Sequence, residues 1–168
     1  MKTLTLKRLL LTAGMLIAAG QALAQATPEY RAKAGFLYNF IAFTEWPTKV
    51  GSPLNLCVYG ADPFGDELNA LQGKSVNGRS LAIRSVGTPD QVKGCQVVFV
   101  ANSAIDSLPR ILDALQGEPV LTVADSTGAL DSGVGINMRV RQSKIAFEVN
   151  LVATRRAQLN VSSKLLRL

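Results

Sequence analysis

Three groups of residues have the type and spacing that chemistry requires. Gly60-Ala61-Asp62-Pro63-Phe64-Gly65 falls between a predicted strand and a predicted helix and has the GxxxxG spacing of a phosphate-binding loop. Asp66 then stands where such a loop needs lysine, and Glu67 follows it. Two carboxylates at a helix N-terminus repel phosphate. Gly73-Lys74-Ser75 has the GKS ending, but Leu68 occupies the position of its first glycine. Both matches fail, so no nucleotide loop is expected. Asp125 and Asp131 share one loop and form a candidate pair for acid–base work; the plainer reading is turn residues and solvated charge. Arg139, Arg141 and Arg155, with Lys144 and Arg156 beside them, form a candidate anion patch. On a strand, Arg139 and Arg141 point to the same face. The plainer reading there is a charged edge that resists strand-to-strand aggregation.

The chain has no histidine. A Ser-His-Asp triad or a Cys-His pair is therefore excluded, and a metal site loses its commonest ligand. No catalytic residue, metal or cofactor is expected, and the protein is not expected to be an enzyme. Two cysteines are present, Cys57 and Cys95. In an exported chain an isolated pair reads as one disulfide, here closing a 39-residue loop from 57 to 95 inclusive. Two free thiols or a redox pair remain the alternatives. No CxxC motif is present, and nothing obvious would activate a thiolate.

Export itself is read from residues 1–24. Lys2, Lys7 and Arg8 precede the apolar run Leu9–Ala19, and Ala22-Leu23-Ala24 closes it with the small-x-small pattern of a cleavage site. The run is too short to span a bilayer, which takes about 20 residues. Cleavage between Ala24 and Gln25 leaves residues 25–168, the length of one domain. The formal charge of +6 includes those three cations, so the mature chain carries +3. No nucleic-acid partner follows from so modest a charge, and the mature protein is not expected to span a membrane.

The elements that must position these groups begin with Tyr30–Pro47. Six of the ten aromatic residues lie here: Tyr30, Phe36, Tyr38, Phe40, Phe43 and Trp46. Tyr30, Ala34, Leu37 and Ile41 follow one line of a helical wheel, broadened by Phe36, Phe40 and Phe43. Gly35, Asn39 and Ala42 form a second, small and flat face, with Tyr38 and Trp46 beside it. Trp46-Pro47 is expected to end the helix, because the residue before proline avoids the α region. The flat face is the candidate partner or dimer contact.

Strands are then predicted at Leu54–Tyr59, Leu81–Val86, Val97–Val100 and Pro119–Val123. Between them, Asp62-Pro63 reads as the cap and first residue of a second helix, and a third follows Asp106 or Ser107. Ile136–Val140 and Lys144–Val149 read as a hairpin around Arg141-Gln142-Ser143. Asn150–Leu159 reads as a last helix, broken by Asn160-Val161-Ser162. This order predicts a three-layer α/β/α sandwich, mostly parallel, with an antiparallel C-terminal hairpin.

Taken in order, YRAKAGFLYNFIAFTEWP, LNLCVYGADPFGDELNALQGKSVNGRSL, GCQVVFV, PVLTVAD, GINMRVRQSKIAFEVNL and VSSKLLRL resemble the YfiR family of periplasmic regulators. The resemblance covers Tyr30 to Leu168. It implies a periplasmic protein that binds the periplasmic domain of a membrane-bound diguanylate cyclase and holds it in check, lowering cyclic di-GMP and disfavouring biofilm. It also implies a homodimer and a disulfide whose redox state tunes stability. Cys57 and Cys95 match one cysteine pair of the family; the second pair has no match, because these are the only cysteines here. The expected function is inhibition of a membrane-bound signalling protein, a diguanylate cyclase or another membrane sensor. The alternative is a small-molecule-binding sensor module rimmed by the 125–135 loop and the basic hairpin.

Overall fold

The structure, a computed structural model, describes residues 27–168; the expected signal peptide, 1–24, lies outside them. Helix α1 (Pro28–Ala42) leads through β1 (Thr44–Glu45) to β2 (Leu54–Tyr59). A short α2 (Asp66–Asn69), β3 (Ser75–Val76) and β4 (Arg79–Val86) follow, then a 3-10 turn at Pro89–Val92 and β5 (Val97–Val100). A second 3-10 turn, Asn102–Ser107, runs into α3 (Leu108–Ala114). Next come β6 (Leu121–Ala124), β7 (Ile136–Arg141), β8 (Lys144–Val149), α4 (Leu151–Arg156) and β9 (Asn160–Val161), and Leu165–Arg167 forms a last 3-10 turn.

Seven strands make one mixed sheet in the order β3-β4-β2-β5-β6-β7-β8. The ladders from β4 through β2, β5 and β6 to β7 are parallel; only β3–β4 and β7–β8, at the two ends, are antiparallel. This is the expected α/β architecture with its C-terminal hairpin. A parallel sheet covered on both faces needs strands apolar at nearly every position, and every residue of β5 and β6 is buried. Leu54, Leu56, Val58, Val97, Phe99, Leu121 and Val123 pack in one core with Leu37, Phe40 and Ile41 of α1. The alternate residues Cys57, Tyr59, Val98, Val100 and Ala124 pack in the other with Leu108, Ile111 and Leu115.

Three local expectations are corrected. Helix α1 stops at Ala42, before Trp46-Pro47. Thr44 Oγ1 donates to the Phe40 carbonyl at 2.6 Å, and Thr44–Glu45 pairs with Asn160–Val161 from the far end of the chain. A tertiary strand pair thus ends the helix before proline does. The last helix, expected over Asn150–Leu159, covers only Leu151–Arg156, and the break expected at Asn160-Val161 is made by strand β9. Asp62 does not cap a helix; its Oδ1 accepts the Phe64 N–H at 2.7 Å in a local turn, and α2 begins only at Asp66. Asn150 does cap α4, accepting the Ala153 N–H at 3.0 Å.

Candidate functional site

Open α/β sheets bind ligands outside the carboxyl ends of their strands. In this chain that region is filled by the first turns of α1. The Tyr30 ring packs edge-on against Phe64 at 5.3 Å, and Phe64 against Phe99 at 4.8 Å. The loop after β2 lies close on the segment after β5: a Cβ on Gly60, whose φ is +98°, would come 2.7 Å from Ala104 Cβ. Three of its backbone donors are used internally: Gly60 N–H on the Val86 carbonyl, Ala61 N–H on Ser103 Oγ at 3.0 Å and Phe64 N–H on Asp62 Oδ1. The glycine loop at 60–65 thus packs closely on the segment after β5.

Over the end of β6 lies a cluster that sequence reasoning missed. Lys33 Nζ donates to Asp125 Oδ2 at 2.7 Å, and their side chains are only 4% and 2% exposed. Lys33 also bonds Glu29, one helical turn back, and lies 4.4 Å from the centre of the Tyr30 ring. The Tyr30 hydroxyl donates to the same Asp125 oxygen at 2.9 Å, while Asp125 Oδ1 is buried with no partner among the described residues. Two signals pointed here: Lys33 interrupts the apolar line of α1, and Asp125 directly follows the buried run of β6. Burial first, then the Asp125 carboxylate, raises the Tyr30 hydroxyl above its ordinary value. Below about pH 10 this contribution to stability is fully present. As pH rises further, unfolded Tyr30 ionises while folded Tyr30 resists, and stability falls. Denaturant midpoints between about pH 9 and 11 should drop less steeply in Tyr30→Phe than in the wild type. Parallel slopes would refute the assignment.

The expected acid–base pair is not assembled: Asp125 is held by Lys33 and Tyr30, whereas Asp131 is exposed. Arg139 is engaged by Glu148 on the neighbouring strand, and Arg141 is exposed opposite Lys144. Arg155 is exposed in the last turn of α4, and no side-chain hydrogen bond or ion pair among the described residues joins it to the hairpin arginines. Of the small-faced positions on α1, Gly35 is exposed, and a Cβ there would meet nothing within 4 Å. Tyr38, Asn39 and Ala42 are half-buried; Tyr38 donates to the Ser75 carbonyl at 3.5 Å, and Asn77 Nδ2 to the Ala42 carbonyl at 3.0 Å. Trp46 sits in the core at 7% exposure, so the candidate contact face is carried by the other four.

Cys57 and Cys95 form a disulfide, buried in the core beneath α3. Among the described residues no cluster of three or more His, Cys, Asp or Glu side chains could hold a metal. A groove of about 730 Å³ opens between α3 and α4, floored by Leu115, Val120 and Leu121 and rimmed by Asp113, Ser132 and Arg156. Among the described residues no helix is long and apolar enough to cross a membrane.

Fold and site define a disulfide-closed α/β module whose usual ligand crevice is plugged by its own first helix. Residues 30–168 match the model of the family described as YfiR/HmsC-like, and the chain belongs to that family. Among solved structures, a conserved domain protein from Vibrio cholerae O1 biovar El Tor is similar with a TM-score of 0.56 at 8% identity, over 85% of this chain and 59% of that one. The ABC domain in complex with L-Trp from Streptococcus pneumoniae is similar with a TM-score of 0.53 at 8% identity, over 77% and 57%. The chain thus spans under two thirds of both, and the likeness is one of fold. No curated protein gave a significant match.

Proposed function

We propose that the protein binds the periplasmic domain of a membrane-bound diguanylate cyclase and holds it inactive. The family match over residues 30–168 carries this reading. The partly exposed face of α1 at Gly35, Tyr38, Asn39 and Ala42, most open at Gly35, is the contact we assign to the partner, because a glycine on a helix face lets another backbone approach closely. Deleting the gene should raise cellular cyclic di-GMP and biofilm, and the purified protein should retain the periplasmic domain of its cyclase in a pull-down. Unchanged nucleotide levels on deletion would sink the cyclase assignment. Gly35→Leu should leave the melting temperature within a few degrees, since its side chain enters open space, and should abolish the pull-down. Normal capture by a folded Gly35→Leu protein would move the contact elsewhere.

A second reading, a small-molecule sensor, is supported by the groove between α3 and α4, to which the 125–135 loop contributes Ser132 and Gly133. A thermal-shift screen of periplasmic metabolites discriminates the two, because a ligand that binds only the folded state raises the melting temperature. No shift at millimolar ligand would count against the sensor.

A further inference from the structure

The two edges of the sheet are treated in opposite ways. On one side, the free edge of β4 is covered by the chain itself. Strand β3 pairs with Arg79 and Ser80, Leu81 exchanges hydrogen bonds with Gly73 and Lys74, and Gln72 Oε1 accepts the Ile83 N–H at 2.8 Å. On the other side lies β8, paired through six regular positions with β7 and with nothing else among the described residues. Arg141 and Lys144 flank a two-residue turn, so they form a hydrogen-bonded pair, and pairs alternate from there. Lys144, Ala146 and Glu148 thus spend their backbone groups on β7. Ile145, Phe147 and Val149 aim theirs outward, where no described residue meets them.

Of the usual protections this edge keeps only its charges, Lys144 and Glu148. It contains no proline, no glycine and no bulge, and the residues with outward backbone groups are all apolar. Its side chains are nonetheless selective about what can pair with it. Set antiparallel to itself about a twofold axis through Ala146, β8 places Ile145 opposite Phe147 and Lys144 opposite Glu148 of a second copy. The hydrogen-bonded pairs of that register fall on Ile145 and Phe147, the residues whose groups point outward. A parallel in-register stack, the aggregating alternative, instead sets Lys144 beside Lys144 and Glu148 beside Glu148, which repel. Glu148 already bonds Arg139 within its own chain, so a second copy's Lys144 would complete a row of alternating charge.

We infer that β8 is the dimer interface: two copies join edge to edge, antiparallel, and the two seven-stranded sheets become one. Such a contact is isologous and closed, and it leaves no free β8 edge. It leaves the Gly35 face of α1 open to a partner, and it holds whether or not that partner is a cyclase.

Sedimentation equilibrium on the protein expressed from the full-length chain tests this. The wild type should give a dimer. Ile145→Pro removes one outward N–H without touching the β7 ladder, and edge strands tolerate proline; it should be monomeric with an unchanged circular dichroism spectrum. Lys144→Glu should weaken the dimer about tenfold or more, since two symmetric attractive pairs become repulsive. Adding Glu148→Lys should restore it by reversing both charges. A monomeric wild type, or a dimer indifferent to Ile145→Pro and to Lys144→Glu, overturns the inference.

Discussion

Lys33→Met should cost the protein about 3–5 kcal/mol of folding stability. The cost comes from Asp125, whose carboxylate is 2% exposed. Removing the ammonium leaves that charge buried with the Tyr30 hydroxyl as its only side-chain donor, and one of its oxygens already lacks a partner. An unpaired buried charge is far more expensive than the pair was favourable. The two should therefore be strongly non-additive. Asp125→Leu combined with Lys33→Met removes both charges and should recover most of the loss, because apolar side chains of similar volume satisfy such a site. A urea-denaturation cycle over the wild type, both single variants and the double variant measures the coupling directly. If Lys33→Met costs under about 1 kcal/mol, as for an exposed ion pair, the cluster is solvated and the account is wrong. The pair matters to architecture because it pins the first turns of α1 across the end of β6. Every use of α1 as a contact surface depends on that helix staying in place.

Breaking the Cys57–Cys95 bridge is expected to lower the melting temperature by on the order of 10 °C. Cys57 lies in the middle of β2, and Cys95 lies two residues before β5, its neighbour in the sheet. The folded state already holds these segments side by side through the β2–β5 ladder. The bridge therefore acts chiefly on the unfolded chain, where closing a 38-residue separation removes about 4 kcal/mol of entropy in the chain-entropy model. Both cysteines are almost fully buried, at 0% and 1% exposure. Reductant must therefore wait for the core to open, and it should act at the melting transition rather than on the native protein at room temperature. Melting with and without reductant, beside Cys57→Ser, checks both points; a buried hydroxyl makes Cys57→Ser at least as unstable as the reduced wild type. Identical melting curves in all three would show that the bridge does not stabilise the fold. With this single pair, any redox control of the protein is control of its stability.

Much of the architecture was legible in short stretches. Val97–Val100 is apolar at every position, and only a central strand covered on both faces uses such a run. The hairpin expected around Arg141-Gln142-Ser143 is present with its turn at Gln142-Ser143, Arg141 ending β7, and Asn150, expected as the first residue of the last helix, is its cap. The cysteine pair was readable because it had no other partner to choose. What failed was always a residue whose state is decided by something distant. Trp46-Pro47 gave a sound local reason for a helix end, but the β1–β9 pair, joining residues about as far apart as Glu45 and Asn160, separated by 115 positions, ended it earlier.

The sequence by itself determined the class of fold, the disulfide and the family, because apolar runs, turn residues and ordered motifs act over a few residues at a time. Only the tertiary structure decided that Lys33 and Asp125, 92 positions apart, neutralise each other in the core. It alone separated Trp46 from the face it adjoins on the helical wheel and left β8 as the bare edge of the sheet. A charge becomes a buried partner or a solvated one, and an edge becomes covered or free, through which segments close against each other. That closure is set by the packing of the whole chain, to which no local pattern has access.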